Sequence, residues 1–312
     1  MAIRNFVLVG IVAIGPAAAG GCGGEGQVTT MADRDAATAA DDASRDATTI
    51  VSVMRLPLGD GKYLPAPKQG YVFSCKTTFM TGMGGAFADG PWIHHDTGTF
   101  DFTAKTVVQG EVRWPAHAFT AMVTGATRTI TGNGLPDHTT GTFPIAPSDP
   151  AYAYDRNPNT IAAQTNAWSL PANPAVAATE TCLGGGPIGV LLSGAVFFDA
   201  LDAEGRDAVA HETQDACQAH PAPSGAYHYH SLSTCLPDSG SGHSALLGYA
   251  RDGFGIFGVR GEGGQPLTNA DLDVCHGHTH EISWDGSIVS LYHYHATYEY
   301  PYTLGCFRGA VP

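Results

Sequence analysis

The chain has few charged residues, no long apolar segment and none of the common catalytic signatures. Charged side chains make up only 14% of its 312 residues, and 40 glycines and 20 prolines would interrupt any long helix. Neither a Walker A, a GxSxG nor an HExxH motif occurs. These absences argue against a helical bundle and against P-loop enzymes, serine hydrolases of the elbow type and HExxH metalloproteases.

What the sequence does contain is a series of short β-type segments separated by turn signals. Val190–Phe198, Ile282–Trp284 and Ile288–His295 are examples, and Asp285-Gly286 predicts a tight hairpin turn between the last two. Weak helical patterns cover only Asn159–Trp168 and Thr268–Asp273. We therefore expect a mainly β fold, a disulfide-stapled β-sandwich or irregular barrel with few short helices. Residues 51–312 are expected to form one domain, although the proline-rich stretch 144–174 could also mark a boundary.

The first 50 residues have the features of an export signal and a tether. Arg4 precedes the apolar run Phe6–Ile14, which is too short to span a bilayer, so residues 1–21 are predicted to be a signal peptide. Ala19-Gly20-Gly21-Cys22 resembles a lipobox and predicts lipidation of Cys22, with simple cleavage after an alanine as the alternative. Residues 22–50 are poor in large apolar side chains and are predicted to be a disordered linker. The expected location is the cell envelope, most naturally the outer membrane.

Cysteine counting agrees with export. Seven cysteines leave an even number once Cys22 is removed, which predicts three disulfides in an oxidising compartment. Fifteen pairings are possible, and metal thiolates are the alternative use of these residues. One set of pairs is favoured, because two of its members each bracket a Tyr-His-Tyr-His segment: Cys217 with Cys235, Cys275 with Cys306, and Cys75 with Cys182 as the remaining pair.

The predicted mature chain is strongly acidic. It keeps 14 basic and all 29 acidic residues, a formal charge of −15. This charge argues against nucleic acids and anionic membrane surfaces as partners, so membrane contact is expected only through the lipid anchor. It is compatible with a cationic partner and equally with solubility alone. No protein partner can be named from the sequence.

One tetrapeptide, Tyr-His-Tyr-His, occurs twice, at 227–230 and at 292–295. Because side chains alternate along a strand, both histidines of a copy should lie on one face and both tyrosines on the other. Each copy follows a Cys with a His close after it and is followed by a second Cys. The first unit has Cys217 and Cys235, and the second has Cys275 and Cys306.

The two tetrapeptides, with the segments 248–254, Leu272-Asp273 and 300–306, resemble the bacterial YHYH-domain proteins. The resemblance extends from about Gly61 to Arg308. It implies an exported domain of this family and says little about activity, because the family is largely uncharacterised. The chemistry has to be inferred from the residues themselves.

The histidines predict a transition-metal site for copper or zinc. Each tetrapeptide supplies a pair of ligands, His228 with His230 and His293 with His295. Both pairs are expected to converge on one ion, with His278, His280 and His220 as additional ligands. Three imidazoles and a water would form an open zinc site, whereas four would suit tetragonal Cu(II). In an extended chain His276, His278 and His280 should share one face. Side chains expected to support the ligands or to act as a base are Asp252, Asp273 and Glu281.

Two other interpretations of these residues stay open. Tyr229 and Tyr294 should pack as cross-strand aromatic partners, or alternatively serve as phenol ligands or redox relays beside a copper. The whole protein could be a plain metal binder, a metal-dependent hydrolase or copper oxidase, or a metal-free structural module.

Overall fold

A computed structural model of the protein describes residues 52–79, 81–82 and 85–312. The predicted signal peptide, lipidated Cys22 and linker lie outside the described residues. The first nine strands in chain order are β1 (Leu56–Pro57), β2 (Tyr63–Leu64), β3 (Val72–Phe73), β4 (Ile93–His94), β5 (Thr99–Phe100), β6 (Phe119–Thr124), β7 (Thr127–Gly132), β8 (Asn166–Pro171) and β9 (Val176–Thr181). The other nine are β10 (Pro187–Leu191), β11 (Val196–Phe198), β12 (Ala219–Pro221), β13 (Tyr227–Tyr229), β14 (Leu246–Ala250), β15 (Gly255–Phe257), β16 (Gly277–Trp284), β17 (Ser287–His295) and β18 (Phe307–Gly309).

An eight-stranded open sheet dominates the architecture, with the strand order β12-β13-β11-β10-β14-β15-β17-β16. Smaller sheets of two or three strands surround it. The described helical segments are short: α1 (Ala208–His211) and the 3-10 turns Pro150–Ala153 and Asn269–Asp271. Among the described residues, no helix is both long and apolar enough to cross a membrane.

The large sheet consists of two halves with the same topology. In each half a hairpin (β10-β11 or β14-β15) is followed by a second hairpin (β12-β13 or β16-β17), and the last strand pairs in parallel with the second. The halves join through the antiparallel pair β10-β14. The fold is therefore a structural duplication of two hairpins, of which the repeated tetrapeptide marks only the last strand of each half.

Local structure confirms the duplication residue by residue. Gly194 and Gly253 occupy the turn of the first hairpin in each half with φ of 90° and 91°, a conformation that favours glycine. At the start of the second hairpin, the Asp215 carboxylate accepts the amide of Cys217 at 2.9 Å, and the Asp273 carboxylate accepts that of Cys275 at 2.8 Å. The spacing Asp-x-Cys-x-x-His is thus shared by residues 215–220 and 273–278.

The two faces of the large sheet contact different structures. All four tyrosines of the repeated motif belong to one core cluster with the strands and loops of residues 56–100 and 300–307. On the opposite face, Ile130 and Leu170 of the β6-β7-β8 sheet pack against Val190, Val196 and Tyr249 near the middle of the large sheet. This arrangement is a partial sandwich, with the small sheet covering the middle of a wider one.

The three predicted disulfides are present: Cys75–Cys182, Cys217–Cys235 and Cys275–Cys306. The last two enclose sequence separations of 18 and 31 residues, each loop containing one Tyr-His-Tyr-His strand. The thiolate alternative is therefore wrong for these six cysteines.

The mainly β prediction is confirmed, with an open sheet in place of a closed barrel. Val190–Phe198 is not one strand, because Ser193-Gly194 turns the chain back and pairs β10 with β11. The predicted helix at Asn159–Trp168 is wrong, since its end forms β8 and pairs with β7. Thr268 does cap a short 3-10 helix at Asn269–Asp271, as its position predicted.

Candidate functional site

The repeated motif separates its side chains between the two faces of the sheet, as the strand period predicts. The hydroxyl groups of Tyr227 and Tyr292 donate to Asp215 and Asp273 at 2.8 and 2.9 Å. The imidazoles project from the opposite face, where they meet other histidines. The tyrosines thus anchor the strands in the core, and the histidines are available for chemistry.

The histidines form two separate groups in the described part of the chain. The first cluster is His220, His228 and His230. The second cluster is His243, His278, His280, His293 and His295. Within each cluster the ring nitrogens that could hold an ion lie within 4.8 Å of one another.

The expectation that both tetrapeptides share one ion is wrong. Strands β13 and β17 are separated by four other strands of the sheet. At a strand spacing of 4.7–4.9 Å, this places the two pairs about 24 Å apart. The duplication therefore gives each half of the sheet a cluster of its own.

The first cluster is built on the β12-β13 hairpin. His220 lies opposite His228 in the antiparallel register, and His230 follows two residues later on the same face. Nε2 of His228 and Nε2 of His230 are 3.1 Å apart. Two nitrogens bound tetrahedrally to one zinc at about 2.0–2.1 Å stand about 3.3 Å apart, so the observed separation suits a shared ion.

Hydrogen bonds at the far side of each ring set the direction of its lone pair. His228 Nδ1 donates to the carbonyl of Ala226 at 3.1 Å, and His230 Nδ1 donates to the carbonyl of Asp199 at 2.5 Å. A carbonyl can only accept, so the proton of the neutral ring is on Nδ1 and Nε2 carries a lone pair. Both lone pairs point into the cluster, the arrangement that backbone acceptors impose on metal-ligating histidines.

Burial keeps these rings neutral. It lowers the pKa of His230 to about 4 and the pKa of His220 and His228 well below 6.5. The neighbouring imidazoles lower the pKa of His220 further, because a second positive charge beside the first is unfavourable. A neutral imidazole is the form that binds a metal ion.

A carboxylate and a cavity adjoin the first cluster. Oε2 of Glu212 lies 3.4 Å from Nε2 of both His220 and His230. Within the described residues, neither this oxygen nor Nε2 of His220 has a hydrogen-bond partner, although both are buried. Burial raises the pKa of Glu212 well above its usual range. A cavity of about 340 Å³ opens beside the group, and the three imidazoles and Glu212 form part of its wall.

The second cluster is larger and comes from three elements. His278 and His280 project from β16, and His293 and His295 project from β17. His243 joins them from the loop before β14. The Nε2 atoms of His278 and His295 are 3.1 Å apart, and those of His243 and His293 are 3.3 Å apart.

The same backbone device orients the rings of the second cluster. Four rings donate from Nδ1 to a main-chain carbonyl at 2.6–2.9 Å; the pairs are His243 with Ser244, His280 with Glu281, His293 with Leu291 and His295 with Gly258. Their Nε2 lone pairs therefore converge. Burial lowers the pKa of His278 to about 4, of His293 to about 3 and of His295 to about 2. The five imidazoles thus bring five possible ligand nitrogens within 4.8 Å of one another.

The carboxylates expected beside the ligands have other contacts. Asp252 accepts the hydroxyl of Tyr294 at 2.5 Å, and Asp273 accepts that of Tyr292, both on the tyrosine face. Glu281 is exposed, and only its main-chain carbonyl contacts an imidazole, that of His280. Backbone carbonyls therefore orient the rings in place of these side chains.

The tyrosines and His276 also lie away from the imidazole nitrogens. The Tyr229 hydroxyl contacts His138 on the core face and has no path to the first cluster except through the sheet. His276 does not share the face of His278 and His280, because it precedes β16 with a φ of 73° and its Nε2 bonds Thr297 at 2.9 Å. His138, Cys217 and Cys235 also lie close enough together to suggest a metal site. Both sulfurs are in a disulfide, however, so neither is available as a thiolate ligand.

Two residues of these sites escaped sequence reasoning. His243 is isolated in a serine- and glycine-rich loop, 35 residues before His278, and no local pattern marks it. Glu212 follows α1 and precedes the first cysteine unit by five residues. The Asp-x-Cys-x-x-His repeat could have shown that His220 and His278 are equivalent, and hence that there are two sites.

Comparison with known proteins places part of this architecture in a family. Neither the curated proteins nor the solved structures include a significant match to the chain. The family model described as YHYH protein matches residues 167–264, which contain the first tetrapeptide and the strands from β8 to β15. The second tetrapeptide lies beyond the match and repeats the topology of the first. The resemblance expected from the sequence is therefore confirmed for residues 167–264, where the chain has a YHYH domain match.

Proposed function

We propose that this protein is an exported, lipid-anchored binder of transition-metal ions, with one site at the first cluster and one at the second. The ions are copper or zinc. Their ligands are the neutral imidazoles of the two clusters, held on a sheet that disulfides reinforce. The two sites are separate because each belongs to its own half of the duplicated sheet.

One observation carries the proposal, namely that imidazole lone pairs face each other at short range. His228 and His230 both give their Nδ1 protons to carbonyls, and their Nε2 atoms are 3.1 Å apart. Two neutral acceptors at that distance repel unless a proton or a metal ion lies between them. Since burial disfavours the protonated form, a metal ion is the more favourable occupant.

The donor sets favour different coordination in the two clusters. Three imidazoles in the first cluster match an open zinc site, which keeps a fourth position for water. The five imidazoles of the second cluster can supply the tetragonal nitrogen set that Cu(II) prefers or a closed tetrahedral zinc site. Both assignments use nitrogen donors alone, in keeping with the six cysteines being disulfide-bonded.

Elemental analysis of protein purified without a histidine tag tests the proposal. The unmodified protein should bind two ions. His228→Ala with His230→Ala should bind one, at the second cluster, and His278→Ala with His293→Ala and His295→Ala should bind one, at the first. The variant with all five substitutions should bind none, with all three disulfides formed. His94→Ala is the matched control, because His94 is exposed on β4 outside both clusters, and its metal content should be unchanged. No bound metal and no saturable uptake at micromolar zinc or copper would support a packing role instead.

The anchor is a second part of the proposal with its own test. It rests on the short apolar segment, on Cys22 as the odd cysteine, and on three disulfides, which suit an oxidising compartment. Cys22→Ala should move the protein from the membrane pellet to the soluble fraction or leave it unprocessed. An unmodified protein that is already soluble, with Cys22 absent from its mature terminus, would contradict lipidation.

A second candidate function is a metal-dependent hydrolase, favoured by the cavity and by Glu212 beside the first cluster. A metal-bound water in the fourth position could give its proton to this carboxylate. Zinc-loaded protein should then hydrolyse small activated esters, His228→Ala should lose this activity and His293→Ala should keep it. The copper oxidase alternative has less support, because the tyrosine hydroxyls lie on the opposite face of the sheet.

A further inference from the structure

We infer that the two clusters differ in function: the ion at the first cluster keeps an open position facing the cavity, where a small oxygen or nitrogen donor binds, and the ion at the second cluster is closed to such ligands. This inference rests on the proposed metal binding and specifies what the first site does. The difference follows from residues that the duplication places in equivalent positions.

The duplication identifies which imidazoles the first cluster lacks. His220 and His278 stand at the same place in the Asp-x-Cys-x-x-His repeat, opposite His228 and His293 respectively. Two residues further on, the second half has His280 and the first half has Ala222. Both positions continue the same face of the hairpin, and the amide of Ala222 still pairs with Ala226 at 2.9 Å. A methyl group therefore replaces the fourth imidazole.

The space left by this replacement is part of the cavity. Ala222 lines the cavity together with His220, His228, His230 and Glu212. The cavity volume of about 340 Å³ is at the lower end of the range for small-molecule sites. An ion held by the three imidazoles would thus have solvent-accessible space beside it. A small donor could occupy that space, and a protonated donor such as water could give a hydrogen bond to the unpartnered Oε2 of Glu212.

The second cluster has the opposite character. His280 occupies the position of Ala222, and its buried Nε2 has no hydrogen-bond partner among the described residues. His243 approaches from the loop, with its ring centroid 4.8–5.3 Å from those of His280, His293 and His295. The ring of Phe257 packs at 5.0 Å from both His243 and His293. Three of the five rings are only partly buried, so it is the number of nitrogens that closes the site. Five imidazole nitrogens are enough to fill the positions of a four- or five-coordinate ion and leave none for a further ligand.

Cobalt(II) and azide provide the test. Cobalt replaces zinc in nitrogen sites, and its visible absorption changes when a further ligand binds. Protein with only the first cluster (His278→Ala with His293→Ala and His295→Ala, which leaves two imidazoles in the second cluster) should bind one cobalt and show a saturable spectral change with azide. Protein with only the second cluster (His228→Ala with His230→Ala) should also bind one cobalt, and its spectrum should not change with azide.

Exchange of the equivalent positions sharpens the test. In the first-cluster protein, Ala222→His should retain the cobalt and weaken azide binding at least tenfold, and Ala222→Ser should bind azide as before. In the second-cluster protein, His243→Ala with His280→Ala leaves His278, His293 and His295. These occupy the positions equivalent to the three imidazoles of the first cluster, so an azide response should appear. Near-ultraviolet circular dichroism should confirm that each variant is folded.

The outcomes separate this inference from the proposal on which it rests. If both single-cluster proteins bind cobalt and respond equally to azide, or if neither responds, the difference between the clusters is refuted and metal binding stands. An azide response that survives Ala222→His with undiminished affinity also refutes it. If neither protein binds cobalt, the proposed metal binding itself fails.

Discussion

At the scale of single residues, the protein uses backbone carbonyls to control histidine chemistry. An imidazole that gives its Nδ1 proton to a carbonyl presents a lone pair at Nε2 and cannot turn away. Six rings in the two clusters have this bond. A side-chain acceptor could be lost by one substitution, whereas these acceptors depend on the strands themselves.

His211 shows the opposite use of the residue. Its Nε2 lies 3.0 Å from Asp60 and its Nδ1 lies 3.0 Å from Asp89, so both nitrogens donate and the ring is an imidazolium. Burial alone would lower the pKa of His211, but the hydrogen bond and charge of Asp60, with the charge of Asp89, raise it above 6.5. The resulting stability is complete below pH 6.5 and is lost as the pH rises through this raised pKa.

His211→Gln should therefore destabilise the metal-free protein more at pH 6 than at pH 8.5. The expected loss at pH 6 is about 1–3 kcal/mol, typical of a buried hydrogen bond to a charged group. Urea unfolding of both proteins at the two pH values measures it. His95→Gln is the control, because the His95–Asp89 pair is largely exposed, with 62% and 45% of the side chains accessible, and should contribute little. A loss of equal size at both pH values would contradict an imidazolium.

At the scale of elements, the sequence predicts local structure better than it predicts which strands lie next to each other in the sheet. The β16-β17 hairpin follows from alternating residues and from Asp285-Gly286, because such signals act within a few residues. The separation of the two tetrapeptides does not follow from such local signals, because strand order depends on which hairpins meet in the sheet. His243 was missed for the same reason, since only the folded loop brings it to β17. Two of the three disulfides, Cys217–Cys235 and Cys275–Cys306, could be predicted because each brackets one local unit, and Cys75–Cys182 is the pair that remains.

Each bracketing disulfide should stabilise its own half of the sheet. Cys217→Ser with Cys235→Ser opens a loop of 18 residues around β12 and β13 and should lower the free energy of unfolding by about 3 kcal/mol in the chain-entropy account. Metal uptake should weaken at the first cluster and persist at the second. The matched variant, Cys275→Ser with Cys306→Ser, should reverse the pattern. Denaturant unfolding and metal analysis check both, and equal loss of both ions from one variant would show that the halves are not independent.

At the scale of the whole molecule, the duplicated sheet separates two tasks without separating two domains. The halves share the β10-β14 pair and one core cluster beneath all four tyrosines. Their histidine clusters nevertheless lie about 24 Å apart, estimated from the number of intervening strands. Such an arrangement lets one half change its ligands while the common core stays intact, which is how Ala222 and His280 can differ.

That separation predicts additive stabilisation by metal ions. An ion that binds only the folded protein stabilises it by RT ln(1 + [L]/Kd), or about 2.7 kcal/mol at a free concentration of 100 Kd. Sites this far apart without shared ligands should act independently to within about 0.5 kcal/mol. The gain of the unmodified protein on adding zinc should therefore equal the sum of the gains of the two single-cluster proteins defined above, each loaded at its remaining cluster. Urea unfolding of the three proteins with chelator and with buffered zinc measures these gains, and the variant with all five histidine substitutions provides the baseline for zinc bound elsewhere. A sum that differs from the gain of the unmodified protein by more than 1 kcal/mol would mean that the two halves are coupled through the β10-β14 pair.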